Sequence, residues 1–212
     1  MSQPLTKAKI VETAQALLEN DGPDGLSMRL LASKLDVATT AIYWHIGNKD
    51  QLLDALVDRL EPLSAVRTTG RTPEQRILST AHSFLGVLET HGALVALANE
   101  RGRLDVVFNP ARRAIAEELS RAGLRGTRLA ARTHAVVQLV SGHALTRNMM
   151  VRLSVDDRPR LPVWPEGETP AVDKAAVRRL HETLDLAGAF EFTLTALVRA
   201  CLAEVKKGSG DR

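Results

Sequence analysis

The stretch "GLSMRLLASKLDVATTAIYWHIGNKDQLLDAL", residues 25–56, decides the fold of this chain. Ser27 is a good N-cap for a short helix, "MRLLASKL", because its hydroxyl can accept a hydrogen bond from the first turn. The expected buried face of this helix is Leu30, Leu31 and Leu35. Asp36 interrupts the pattern, and a second short helix is predicted from about 39 to 45.

Helices are also predicted on both sides of these two. Residues 6–20 repeat apolar side chains at the spacing of an amphipathic helix. After the second short helix, "NKDQ" resembles a capping box, with Asn48 as N-cap and Gln51 at the third helical position. The helix that it starts ends at Pro62. Two short helices joined by a tight turn and framed by other helices are typical of a helix-turn-helix domain.

Beyond that domain the helical pattern continues after a linker, which we predict over 63–72. One later helix is expected to open with Asn109 as its cap and Pro110 at its first position, and to close at Gly123. The other predicted helices cover 73–90, 93–98, 127–151, 172–185 and 187–205.

A proline-rich segment, 153–171, contains Trp164 and separates the last two helices from the others. The sequence therefore predicts an all-α protein in two parts. The first is a three-helix, helix-turn-helix domain over residues 1–61. The second is a larger helical domain over residues 62–212, expected to bind a ligand and to dimerise.

Composition excludes several classes of protein. The 212 residues are 44% hydrophobic and 25% charged, which is ordinary for a soluble globular chain. The N-terminus lacks the apolar core of a signal peptide, and no apolar run is expected to span a bilayer. A single cysteine, Cys201, suits a reducing cytoplasm. Metal-ligand spacings, phosphate-binding glycine loops and a nucleophile–base set are all missing from the sequence, so we expect no metal, no cofactor and no enzymatic activity.

The second short helix has the properties of a helix that enters a DNA major groove. It is too short and polar for a core helix, and its first residues are Thr39 and Thr40, which can bond or contact base edges. Tyr43 and His45 can donate to phosphate oxygens, and Lys49 at the start of the next helix can bind a phosphate.

Residues 25–56 resemble the DNA-binding domain of the TetR family of transcriptional regulators. The resemblance rests on the Gly-Leu-Ser start, on "LASKLDV" across the turn, on the aromatic "IYWH" helix and on "NKDQLL" after it. The triplet "YWH" makes the chain more similar to the tetracycline repressor branch of that family. The resemblance to the family implies base contacts by Arg29, Thr39, Thr40 and Ala41. It also implies phosphate contacts by Ser27, Tyr43, His45 and Lys49.

Two features of this stretch limit what the family pattern can predict, and the role of Trp44 has two alternatives. Asp36 stands where the family usually has Gly, and Asp tolerates a positive φ less well than Gly does. The Thr-Thr-Ala sequence at 39–41 means that the operator of a relative cannot be transferred to this chain. Trp44 either braces the domain by packing against the first helix or contacts DNA.

Charge supports a second reading. Residues 1–61 contain six Lys and Arg against nine Asp and Glu, a net charge of −3, whereas the remainder holds 22 against 16, a net charge of +6. If the first domain binds DNA, a local face must supply the attraction, and 27–49 has such a bias. The alternative is a helical small-molecule binding or scavenging protein whose DNA-binding domain does not function.

The family resemblance also implies what the second domain does. Dimerisation through the helices at 127–151 and 187–205 would place two recognition helices on a palindromic operator. The expected dimer face of the last helix is its apolar residues, which include Phe190, Leu194, Val198 and Cys201. A pocket among the other helices would bind a small-molecule effector that releases the DNA, which describes a ligand-responsive repressor. Its expected contacts are an apolar wall and polar side chains on apolar stretches: His82, Leu85, Asn99, His134 and Gln138.

Overall fold

The structure is a computed structural model that describes residues 4–22, 25–154, 173, 175–177 and 185–208. These residues form helices and connecting segments, with no strand among them, so the predicted all-α class is confirmed. The helices of the N-terminal part are α1 (Lys7–Asp21), α2 (Met28–Leu35), α3 (Thr39–Ile46), α4 (Lys49–Asp58) and α5 (Leu60–Leu63). Those of the second part are α6 (Pro73–Thr90), α7 (Gly92–Glu100), α8 (Asp105–Arg121), α9 (Gly126–Ser154) and α10 (Leu186–Gly208).

Helices α1 to α4 pack around one apolar core. Its fully buried side chains include Ile10, Leu31, Ile42, Leu52 and Leu56, each at most 1% exposed. Burial of α2 differs slightly from the expectation. Its buried residues are Met28, Leu31 and Ala32, while Leu30 and Leu35 are only half-buried. Because the apolar Met28 lies in the first turn, the face that packs on the core runs through Met28, Leu31 and Ala32.

Helix α8 begins at Asp105, one turn before the predicted start, so the expectation that Asn109 caps it is wrong. Pro110 lies inside the helix and has no N–H to donate to the carbonyl of Val106. The buried hydroxyl of Ser64 lies 3.1 Å from that carbonyl and 2.8 Å from the carbonyl of Glu61. The proline is tolerated because the carbonyl of Val106, which it leaves without a helical donor, accepts from the Ser64 hydroxyl of the linker.

The linker lies along α6 rather than swinging free. The backbone N–H groups of Arg67 and Thr69 donate to the hydroxyls of Ser83 and Ser79, at 2.9 and 2.7 Å. Helix α6 starts at Pro73 behind a capping box, as its predicted boundary requires. The predicted domain boundary between 61 and 62 falls within the short helix α5 and stays a prediction.

Helix α10 presents a different face from the expected one. Phe190, Leu194, Val198 and Cys201 are at most 4% exposed because they pack into the chain's own core, so they cannot form an outer dimer face. The window Leu186–Ala203 is long and apolar enough to cross a membrane by length and hydropathy, contrary to the expectation from sequence. Because α10 packs against α6 and α9 on its apolar side, we interpret it as a helix of a folded domain.

Some predictions concern parts of the chain outside the described residues. These are Trp164 with residues 155–171 of the proline-rich segment and most of the predicted helix 172–185.

Candidate nucleic-acid interface and its link to the second domain

The turn between α2 and α3 is fixed by local hydrogen bonds. Ser27 caps α2 by accepting from the N–H of Leu30 at 3.1 Å, as predicted. Asp36 ends the helix in the left-handed conformation, with φ 53°, and the N–H of Val37 returns to the carbonyl of Ala32 at 3.1 Å. These bonds set the angle at which α3 leaves α2.

Helix α3 is anchored by one side and leaves the other side free. Ile42 and Ile46 are 0% and 6% exposed in the core of the domain. The helix ends at Gly47, whose φ is 93°, and a Cβ there would collide with the side chain of Gln51. Gln51 is held in that place by the predicted capping box, in which Asn48 Oδ1 accepts from the Gln51 N–H at 2.9 Å. Packing and capping therefore fix a short helix that buries one side in the core and exposes the other.

All nine residues predicted to contact DNA are at least partly exposed. They lie at the start of α2, along α3 and at the start of α4, three elements that pack on one another. The exposed ones are Ser27, Arg29, Thr40, Tyr43, Trp44 and Lys49, and the half-buried ones are Thr39, Ala41 and His45. Their individual contacts with bases or phosphates stay predictions.

Trp44 does not brace the domain. It is 86% exposed, and the ring stacked edge-on against it, at 5.5 Å between centroids, is that of its neighbour His45. Tyr43 beside it is 47% exposed. The interpretation of Trp44 as a buried brace is therefore wrong, which leaves a surface role for this indole.

Helix α4 of the same domain contacts the second domain through acidic groups. Arg101, at the end of α7, places Nε 2.7 Å from Asp54 Oδ1 and Nη1 3.4 Å from Asp50 Oδ1. Arg103 pairs with Asp58 at 2.8 Å. We call these five residues the inter-domain ion cluster. The hydrogen bond to Asp54 is the main reason why the pKa of Arg101 is raised above its ordinary value.

A further contact and the linker joint complete this interface. His91 Nδ1 lies 3.1 Å from Glu19 of α1, and Ser64 joins the linker to the first turn of α8. Four of the nine carboxylates of residues 1–61 thus pair with the second domain. By contrast, Arg29, Lys34 and Lys49 are exposed and form no ion pair among the described residues.

The residues predicted to bind a ligand are not gathered in one cavity. Leu85 is buried, whereas Asn99 is exposed at the end of α7. His82 is exposed and lies 2.7 Å from Glu191 of α10. His134 and Gln138 are exposed on α9, where His134 also lines a groove between α8 and α9. As ligand contacts, all five stay predictions.

Another histidine, His143 of α9, lies where α6, α9 and α10 meet. Its ring stacks on Phe190 with 4.2 Å between centroids. Burial lowers the pKa of His143 below its ordinary value, and Arg147 lowers it further, against the opposing effect of Glu89 and Glu191. Among the described residues, no group of three or more His, Cys, Asp or Glu is placed to hold a metal ion.

Comparison with known proteins places the exposed helix in a family. The family model described as "Bacterial regulatory proteins, tetR family" matches residues 10–56, which are most of α1 to α4. Over residues 10–56 the chain is therefore similar to TetR-family regulators. An HTH-type transcriptional regulator of Saccharopolyspora erythraea is 37% identical over 100 residues, which are 46% of this chain and 42% of that protein.

Likeness to the tetracycline repressor branch of the TetR family is also found. The class C tetracycline repressor protein of Escherichia coli is 39% identical over 67 residues, which are 32% of this chain and 31% of the repressor. The chain therefore matches less than half the length of either curated relative.

The fold of the whole chain is also that of TetR-family regulators. The crystal structure of the TetR family protein ActR of Streptomyces coelicolor in complex with actinorhodin superposes with a TM-score of 0.67. It covers 96% of this chain and 99% of ActR at 25% sequence identity. Sequence likeness is thus strongest in the DNA-binding part, whereas the second domain shares chiefly its helical layout.

Proposed function

We propose that the protein is a cytoplasmic, ligand-responsive transcriptional repressor that binds a palindromic operator as a homodimer and leaves it when an effector binds. The observation that carries this proposal is the exposed side of α3, where Thr40, Tyr43 and Trp44 stand free on a helix anchored by Ile42. The match of residues 10–56 to the tetR family model supports the DNA-binding role.

Dimerisation is supported by the outer faces of α9 and α10. Leu145 and Met149 of α9 are 63% and 54% exposed, and Phe192 of α10 is 78% exposed. The same faces also carry small exposed residues. These are Ala131 and Gly142 on α9, and Ala189, Ala196 and Ala200 on α10. Large apolar side chains among small ones favour close packing against a second copy. Two copies would also supply the paired recognition helices that a palindrome needs.

Release by an effector is supported by the inter-domain ion cluster. Because Arg101 holds two carboxylates of α4, a shift of α7 or of the turn after it would move the DNA-binding domain as a body. An effector regulates only if it binds the DNA-competent and the released conformations with different affinities. The ion cluster is the element through which that difference would reach α3.

The alternative function, a small-molecule scavenger with an inactive first domain, rested on the net charge of −3 in residues 1–61. That charge is better explained by the ion cluster, since Asp50, Asp54 and Asp58 pair with arginines of the second domain. The exposed cations beside α3 remain available for phosphates.

The test is selection of a binding site from a random DNA pool with the full-length protein, followed by anisotropy titrations on the selected duplex. We expect a palindrome, a dimeric complex in sedimentation, and an affinity that falls steeply with salt. The variant Phe192→Glu should weaken dimerisation and operator binding together, whereas Phe192→Leu should preserve both. Failure to enrich any DNA sequence would refute the proposal.

A further inference from the structure

A groove with a volume of about 520 Å³ runs between α8 and α9 on the outside of the second domain. Ala116 of α8 and Leu129 and Ala130 of α9 give it an apolar floor. This groove is separate from the core beneath α8, which is filled by side chains such as Val107 and Ile115, both 0% exposed.

The charged groups of the groove all have one sign. Arg112 and Arg113 of α8 line it beside the imidazole of His134 on α9, and no carboxylate does. Neither arginine forms an ion pair among the described residues. Other arginines nearby behave differently, since Arg76 and Arg121 both pair with Glu118. The two groove arginines therefore lack the counter-charge that their neighbours have.

Arg112 is also held in position with one donor unused. Its guanidinium lies over the ring of Phe108, 5.4 Å from the centroid, and Nη1 lies 3.4 Å from Asn109 Oδ1. Its Nε is buried and has no hydrogen-bond acceptor. A buried N–H of a cationic group without an acceptor is costly, and an anionic oxygen is the acceptor that best relieves that cost.

We propose that this groove binds an organic anion, in which a carboxylate or sulfonate meets Arg112 and Arg113 and an apolar body lies on the floor. We further assign this anion as the effector, a step that rests on the proposed function. His134 at the rim supplies a further donor to the anionic group.

The position of the groove explains how such an anion would act. It lies between two helices with different attachments. Helix α8 is tied to the DNA-binding domain through Ser64 at Val106 and through Arg103, which precedes it and pairs with Asp58. Helix α9 carries the outer face proposed for dimerisation. An anion bridging the two helices would change the placement of each recognition helix relative to the dimer axis.

A matched pair of probes tests the binding site. The sulfonate 1-anilinonaphthalene-8-sulfonate and the neutral N-phenyl-1-naphthylamine share the same apolar body and differ in the anionic group. We expect the full-length protein to bind the sulfonate about tenfold more tightly than the neutral probe. Arg112→Met and Arg113→Met together should abolish that preference, Arg112→Lys should retain part of it, and Arg128→Met, on α9 outside the groove, should leave it unchanged.

Equal affinities for the two probes, or a sulfonate preference that survives the double variant with its helical circular dichroism intact, would overturn the binding site. If the sulfonate binds through the arginines without lowering the affinity for the selected operator, the effector assignment is wrong. We expect a fall of at least about fivefold, which is the lower end of ordinary allosteric coupling. Operator binding without the sulfonate preference sinks this inference alone. The preference without any DNA binding sinks the proposed function, and the effector assignment with it, but leaves the binding site standing.

Discussion

Helices α3 and α4 are neighbours in one small domain, yet they present opposite chemistry. Tyr43 and Trp44 of α3 are 47% and 86% exposed, and the three exposed cations of residues 27–49 form no ion pair among the described residues. Asp54 and Asp58 of α4 pair with Arg101 and Arg103 of the second domain. The net charge of the domain averages these two faces and so describes neither. The charge of a domain predicts its partner only after each group is assigned to a face.

The largest effect should come from the core that holds both faces in place. Ile42→Ala removes a side chain that is 0% exposed beneath α3, so we expect the free energy of unfolding to fall by about 2–5 kcal/mol. Urea denaturation followed by circular dichroism measures it. Ile42→Val is the matched control and should cost about 0.5–1.5 kcal/mol. An equal, negligible cost for both would show that α3 is not anchored there.

Changes on the α3 face should affect DNA binding and spare stability. Trp44→Ala removes a side chain that packs on little besides His45, so the midpoint of unfolding should hardly change, while operator affinity should fall about tenfold or more. Tyr43→Phe should lose a hydrogen bond to a charged phosphate, also about tenfold. Anisotropy titration with the selected duplex measures both. Unchanged affinities would remove the aromatic pair from the DNA interface.

Changes in the inter-domain ion cluster should spare operator affinity and weaken the response to effector. Arg101→Met should leave operator affinity nearly intact in the absence of effector but weaken the response to effector, because the ion cluster would no longer transmit a shift of α7. A double-mutant cycle of Arg101→Met with Asp54→Asn, measured on the free energy of unfolding, should give a favourable coupling energy between the two residues. That coupling energy should decline between about 50 mM and about 500 mM salt. If Arg101→Met abolishes operator binding outright, the two faces are not separable.

The smallest effect is expected at the turn between α2 and α3. Asp36 has φ 53°, a conformation that costs an L-residue more than it costs Gly. Asp36→Gly relieves this strain, but Gly also gives the unfolded chain more conformational freedom, which opposes folding. The net effect should be a rise of about 0.5 kcal/mol in the free energy of unfolding. Asp36→Asn keeps the preference for this conformation and removes only the charge, so it separates strain from electrostatics. A marked loss of stability in the Gly variant would contradict this account of the turn.

The N-terminal domain was largely predictable because its signals are local. Ser27, Asn48 and Gln51 are capping residues that act within one turn of their own helix, and the structure has them in those roles. The fully exposed indole of Trp44 was not predictable, since adjacent positions on a helix face different ways and only the packing of α1 decides which is covered.

The second domain was predictable in its helices and poorly in its faces. Pro110 was expected at a helix start because sequence alone does not reveal that Ser64 would lie beside the freed carbonyl of Val106. The apolar residues of α10, such as Leu194, were expected outside because the inner and outer stripes of one helix have similar composition. The groove between α8 and α9 depends on which arginines lack a carboxylate, and only tertiary structure decides that.

The central claim, that the exposed face of α3 reads DNA, is tested most directly by hydroxyl-radical footprinting of the full-length protein on its selected operator. The account predicts two protected half-sites about one helical turn apart, related by the palindrome, with protection lost in Trp44→Ala and retained in Arg101→Met. Protection of a single undivided stretch, or protection that Trp44→Ala leaves unchanged, would contradict it.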